Sequence, residues 1–128
     1  NYSHLEQNLH DCLNVNLVHA GLSDMPGILY AYNPTTGNSG AWELGTAPTE
    51  HPVSITTIDS LGAKRVDLIK IDTQGLEQQV VLGGTQTIER DWPTLHIEDQ
   101  GKLASWLEKK WNYRVVAHKN KDFIYRRV

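Results

Sequence analysis

Residues 67–84 read Asp-Leu-Ile-Lys-Ile-Asp-Thr-Gln-Gly-Leu-Glu-Gln-Gln-Val-Val-Leu-Gly-Gly, and no other stretch constrains the fold as much. Residues 67–72 predict the strongest strand of the chain. Their apolar side chains crowd together, as in a parallel strand covered on both faces. Gly75 breaks the strand, residues 76–82 read as a helix, and Gly83-Gly84 ends it. Strand, glycine kink and helix in succession are half of a βαβ unit, which calls for a layered α/β fold. At 128 residues the default is one domain, so residues 1–128 are read as a single unit. Apolar residues make up 39% and charged residues 21%, which excludes a disordered or fibrous chain.

The remaining segments fit the same class. Ser3 and Glu6 stand at capping-box spacing, and Leu5, Leu9, Cys12 and Leu13 follow at helical intervals, predicting an amphipathic helix over residues 4–13. Residues 16–20 read as a short strand, residues 22–27 as a turn around Pro26, and residues 28–32 as a second extended piece. Residues 33–52 hold loop chemistry throughout, and a loop that long is usually functional or mobile. Residues 53–58 alternate like a strand. Further on, the pattern predicts a helix at 85–90, a strand at 94–98, a helix at 102–110 and strands at 113–117 and 123–127.

Charge is divided unevenly. Six acids and no base precede Lys64, a net −6, whereas twelve bases and nine acids follow from Lys64 onward, a net +3. The two halves are therefore expected to attract each other. The basic C-terminal segment also fits an anion- or nucleic-acid-binding module, with Trp111 and Tyr113 as stacking groups and Lys109, Lys110, Arg114, Lys119, Lys121, Arg126 and Arg127 as cations. The bland reading is a solvated edge, with Trp106 and Trp111 covering the core. One cysteine, Cys12, rules out an internal disulfide or a multi-cysteine zinc site. The scattered histidines give no metal-ligand spacing, so no metal is expected. No apolar run reaches membrane-spanning length and no signal segment opens the chain. The expected compartment is the cytoplasm.

Two strand ends carry carboxylates: Asp72 after Lys70-Ile71, and Glu98 after His96-Ile97. Ligands of open parallel sheets sit just past the carboxyl ends of strands. An acid there is as often a helix cap as a ligand-binding group, so chemistry alone leaves both readings of Asp72 open. Glu77 falls in the first turn of the following helix, where a negative charge suits the helix dipole.

Residues 67–84 resemble the signature of the FkbM-type methyltransferases. That signature is an apolar strand, Lys-Ile-Asp, a short spacer ending in Glu or Gln, a glycine, a Glu two further on, and a helix with Val-Leu-x-Gly. Pro93-Thr94-Leu95-His96-Ile97-Glu98 resembles the family's next strand, and Leu22-Ser23-Asp24 with Gly27 and Thr57-Ile58-Asp59-Ser60-Leu61 fall in family order. The resemblance implies methyl transfer from S-adenosylmethionine, generally to a hydroxyl oxygen. It implies a class I methyltransferase (Rossmann-like) sheet, mostly parallel with an antiparallel C-terminal hairpin strand and helices on both faces. By match to the motif, Asp72 lies beside the transferring methyl, with Glu98 as a supporting acid and His96 as a candidate proton acceptor. Glu77, Lys70 and, from the long loop, Trp42 are the expected acceptor contacts. Leu22, Ser23 and Asp24 match the adenine-facing turn; their alternative is a plain turn.

The chain departs from the family pattern at its front. The glycine-rich donor loop and the acid-ended strand after it have no counterpart here, because Asn1–Asn14 already matches the helix beyond them and no Gly-x-Gly occurs. The expected fold is thus a truncated sheet. Residues 16–20 are expected to slide in beside residues 67–72, with homodimerisation through an exposed sheet edge as a companion. The expected acceptor is a small-molecule or glycan-like hydroxyl compound. Neither a membrane nor nucleic acid is expected as a partner. The alternative is a non-catalytic remnant that binds a partner.

Overall fold

The computed structural model describes residues 2–35, 37 and 41–128. Part of the expected loop, at 36 and 38–40 and including Gly40, lies outside the described residues.

The elements run α1 (Tyr2–Leu9), β1 (Gly21–Leu22), β2 (Gly27–Tyr32), β3 (Glu43–Gly45) and β4 (Pro52–Thr56), then a 3-10 turn (Asp59–Leu61). There follow β5 (Leu68–Ile71), α2 (Glu77–Leu82), α3 (Thr85–Asp91), β6 (Thr94–Glu98), α4 (Ala104–Trp111), β7 (Tyr113–Lys119) and β8 (Asp122–Arg127). The class is α/β, but the strands form two four-stranded sheets, ordered β1-β4-β2-β3 and β5-β6-β8-β7. Only β1–β4 and β5–β6 pair in parallel among the described residues; the other four pairings are antiparallel. The expectation of one mostly parallel sheet is therefore corrected to two mixed ones. The reason lies in the connections: the tight turn at 120–121 makes a hairpin, the 57–67 connection changes sheets, and α2–α3 is the helical crossover that sets β6 parallel beside β5.

Helices cover one face of the second sheet rather than both. Ile71, Leu95, Ile97, Tyr113 and Tyr125 project to the same side and pack with Val80 and Val81 of α2, Ile88 of α3, and Leu107 and Trp111 of α4. Two tyrosines at the centre of this core find partners for their hydroxyls. Tyr113 donates to the Pro93 carbonyl at 2.6 Å, and Tyr125 donates to Asp99 Oδ2 at 2.7 Å. Asp99 in turn accepts from the Gly101 and Leu103 amides, both at 2.9 Å. Burial pushes the Tyr113 hydroxyl up to about 12 and moves Tyr125 further in the same direction, aided there by Asp99. Both stay protonated donors, which is what a buried hydroxyl among carbonyl and carboxylate oxygens requires.

Several local expectations change. Residues 16–20 form no strand; the pairing falls one step later, where Gly21 and Leu22 lie parallel to Ile55 and Thr56. Nothing therefore slides in beside β5, and its outer edge is open, with Leu68 59% exposed. A strand expected to be covered on both faces is instead a sheet edge with one face covered. Ser3 sits inside α1 rather than ahead of it, and α1 buries none of its residues. The long loop contains β3, whose Glu43 carboxylate accepts from the Tyr32 hydroxyl at 2.7 Å.

The two halves meet where Ile58 and Leu22 pack on the core of the second, and through one acid and one glycine. Asp59 accepts from the Thr87 amide at 2.8 Å and the Gln86 amide at 3.1 Å, capping α3 from outside its own segment. Its own amide donates to the Gly83 carbonyl at 3.0 Å. A Cβ on Gly83 would lie 2.1 Å from the Ser23 carbonyl oxygen, so only glycine lets β1's exit pass this close to α2. No ion pair among the described residues joins the halves. The Asp59 carboxylate bridges them, on these helix amides and through its charge on Arg90.

Candidate active site at the ends of β5 and β6

Register decides which side chains share the uncovered face of the second sheet. Lys70 pairs with His96, His96 with Ile124, and Ile124 with Ala117, making one row across all four strands. Two residues nearer the strand ends, Glu98 pairs with Asp122 and Asp122 with Lys119. Asp72 stands one step past the Ile71–Ile97 pair and so joins this second row. A β-bulge at Val116 makes the rows complete. Before it, Val115 opposes the core residue Tyr125; after it, Ala117 opposes Ile124 on the open face. Without the extra residue, Ala117 and Lys119 would turn the other way.

The rows bring opposite and like charges close. His96 Nε2 lies 2.7 Å from Asp122 Oδ1, and Lys70 Nζ lies 3.6 Å from Asp72 Oδ2. The Gln74 amide donates to Asp72 Oδ1 at 3.2 Å. Three acids in line leave one of them unable to ionise normally: the Asp72 charge, then burial, then a hydrogen bond with Asp72 hold the Glu98 carboxyl above its ordinary range. Like charges opposite one another on a sheet destabilise it, so this row is maintained at a cost to the fold.

The loop after β5 is shaped by Glu77. Its carboxylate accepts from the Gly75 amide at 2.8 Å and the Thr73 hydroxyl at 3.3 Å, closing the turn in which Gly75 sits at φ +105°. Glu77 therefore braces the loop, and its remaining exposure faces a shallow acidic rim shared with Glu98 and Lys121.

Two cavities border the end of β5, one at Asp72 and one at Lys70. One of about 390 Å³ is lined by Leu22, Trp42, Leu44, Asp72, Gln74 and Leu76. Another of about 410 Å³ lies over the open face, between Lys70, His96, Ile124 and Lys119. Of the residues singled out in the sequence, Asp72, Glu98, His96 and Lys70 converge on one sheet end, and Leu22 and Trp42 stand across from Asp72. Ser23 and Asp24 do not join them. Ser23 is buried with its amide donating to the Thr56 carbonyl at 3.1 Å and its hydroxyl to Asp24 at 3.1 Å; both line a separate hollow beside Ile55 and Leu76. The backbone leaves β1 toward Gly83 at this point, which carries the two side chains away from Asp72.

Asp122 was not anticipated. Its sequence signal is only a hairpin turn, Asn120-Lys121-Asp122, and its place opposite Glu98 depends on the order of strands. The stacking groups suggested for nucleic acid are not available as platforms. Tyr113 is fully buried, and Trp111 is 7% exposed, donating to Glu89 at 2.8 Å. Arg127 lies over Trp92, and Arg114 is paired with Glu108 at 3.2 Å.

Among the described residues no helix is long and apolar enough to cross a membrane, and no group of three His, Cys, Asp or Glu side chains is arranged to hold a metal ion. No curated protein and no solved structure matches the chain. The family model described as Methyltransferase FkbM domain matches residues 1–115. A match over nearly the whole length, containing both carboxylate-tipped strands, assigns the chain to the FkbM methyltransferase family.

Proposed function

We propose that the chain takes S-adenosylmethionine at the tip of β5 and assists methyl transfer to a hydroxyl oxygen of a small-molecule or glycan-like acceptor. The observation that carries this reading is the convergence, in a chain of this family, of Asp72 and Glu98 with the His96–Asp122 pair on one sheet end. Methyltransferases of this family generally use that donor.

The residues present fit the donor in kind. Leu22, Trp42 and Leu44 offer apolar walls to a purine, and Asp72 offers a carboxylate to the positive sulfonium. A row of three acids is costly when empty and is relieved by a cation. When bound, the donor supplies an electrophilic methyl carbon. The chain's own task is to orient the acceptor and take its proton. Asp122, as a carboxylate, can only accept, so the 2.7 Å contact makes His96 Nε2 the donor. That leaves the lone pair on Nδ1, where an acceptor hydroxyl proton can go. Asp122 fixes the tautomer and the ring angle, which makes it a positioning residue.

Calorimetric titration of S-adenosylmethionine and of its demethylated product into the purified chain tests this reading. Sub-millimolar binding is expected, weakened at least about tenfold by Asp72→Ala, the scale of a lost charge-assisted contact. No heat at millimolar donor would turn the assignment toward a family member without catalytic function.

A further inference from the structure

We propose that the compound bound over the open face of the second sheet carries an anionic group, carboxylate or phosphate, on a hydroxylated ring. The inference names the acceptor class for the site above and takes its role, though not its binding, from the methyl-transfer reading.

The cavity of about 410 Å³ is unlike its neighbours in its chemistry. Its floor is the cross-strand pair Ile124 and Ala117, a small flat apolar patch on the two antiparallel strands. Such a floor suits the C–H face of a saturated ring and is too small to hold a large apolar group. On the β6 side stands His96, already committed to Asp122. Lys70 closes the side toward β5, and its side chain is 56% exposed even while its ammonium pairs with Asp72. On the β7 side stands Lys119, which has no ion-pair partner among the described residues, although Asp122 is its cross-strand neighbour.

Charge counting selects the ligand. Among the described residues the only acid lining this cavity is Asp122, and its Oδ1 is taken by His96. Lys70 is answered by Asp72 at 3.6 Å, so Lys119 is the ammonium of this cavity with no ion-pair partner among the described residues, and an anionic ligand supplies one. The span also fits. His96 and Lys119 lie on strands two apart, roughly 10 Å. One six-membered ring with an anionic arm covers that distance together with the four-carbon stem of Lys119. The ring would lie on Ile124, a hydroxyl would face His96, and the anion would meet Lys119. The bulge at Val116 is what turns Lys119 onto this face, so the irregularity in β7 acquires a purpose.

The test is a titration followed by NMR of the Ile124 and Ala117 methyl groups, with sodium glucuronate, glucose 6-phosphate and glucose as probes. The two anionic sugars are expected to shift both methyls, and glucose is not. Lys119→Gln, a change at an exposed position, is expected to weaken the anions roughly fivefold while the rest of the spectrum stays native. Whichever anion binds more tightly identifies carboxylate or phosphate as the group recognised. The proposal is overturned if no probe moves Ile124, or if glucose binds as well as the anions and Lys119→Gln changes nothing. A parallel titration of the donor, read at the Trp42 indole, separates the two claims. Anion binding without donor binding removes the methyl-transfer reading and keeps this cavity; donor binding without anion binding removes this one.

Discussion

Glu98 is the residue whose ionisation reports on the whole site. Its carboxyl is held above the ordinary 4.5 by Asp72, by burial and by Asp122. Between the ordinary value and the raised one, the native state binds more protons than the unfolded chain. Stability contributed by that proton is therefore present at low pH and lost as pH rises through the window. Glu98→Gln removes the repulsion without removing the side chain. It is expected to melt above the wild type at pH 7, with the two melting curves converging as pH falls below 4.5. A variant that melts below the wild type at pH 7 would mean that the acid row is not repulsive. Asp91 works in the opposite direction: its bond with Arg90, and then the Val66 amide, hold it below the ordinary range, so its contribution is lost as pH falls.

At the scale of elements, the second half of the chain was largely legible. The strand at 94–98 and the helices near 77–82, 85–91 and 104–111 emerge within a residue or two of their predicted limits. Local periodicity and glycine or proline punctuation set those limits, and both are written in consecutive residues. What periodicity cannot carry is pairing. It did not say that β1 would start at Gly21, that β3 would interrupt the long loop, or that a bulge would re-aim Ala117 and Lys119. For the same reason Asp72 and Glu98 were found as strand-end acids and His96 through the family motif, whereas Asp122 needed the register of two antiparallel partners. Gly83 is instructive because the sequence reading gave it the wrong reason. It ends α2, but at φ −66° any residue could do so; what forbids a side chain is the Ser23 carbonyl 2.1 Å from its would-be Cβ. Gly83→Ala is therefore expected to destabilise the protein by about 1–3 kcal/mol, the range for overpacking against atoms that cannot move aside. Urea denaturation measures it, and a loss below about 0.5 kcal/mol would show that the two halves do not press together there.

Across the whole molecule, the second sheet ends in an edge strand on each side, β5 and β7. β7, paired among the described residues with β8 alone, forms one edge, and β5 forms the other, its outer side running beside an apolar groove of about 480 Å³ that includes Leu22, Ile58 and Leu61. An open edge with an exposed leucine promotes association. Sedimentation velocity is expected to show self-association that grows with concentration. Leu68→Lys should suppress it with little change in melting temperature, because Leu68 is already 59% exposed. A wild type that stays monomeric at high concentration would contradict that account of the edge.

The same architecture sets the end of β5 against two cavities, one with apolar walls at Asp72 and one lined by cations at Lys70. The reading of the site stands on Asp72 meeting a sulfonium at that tip. The ¹³C resonance of isotopically labelled donor methyl, recorded with the wild type and with Asp72→Asn, interrogates that contact at the reacting atom. The account predicts a shifted and broadened methyl signal with the wild type that returns to the free position with the variant. Identical signals in the two samples, whether both free or both shifted, would contradict it.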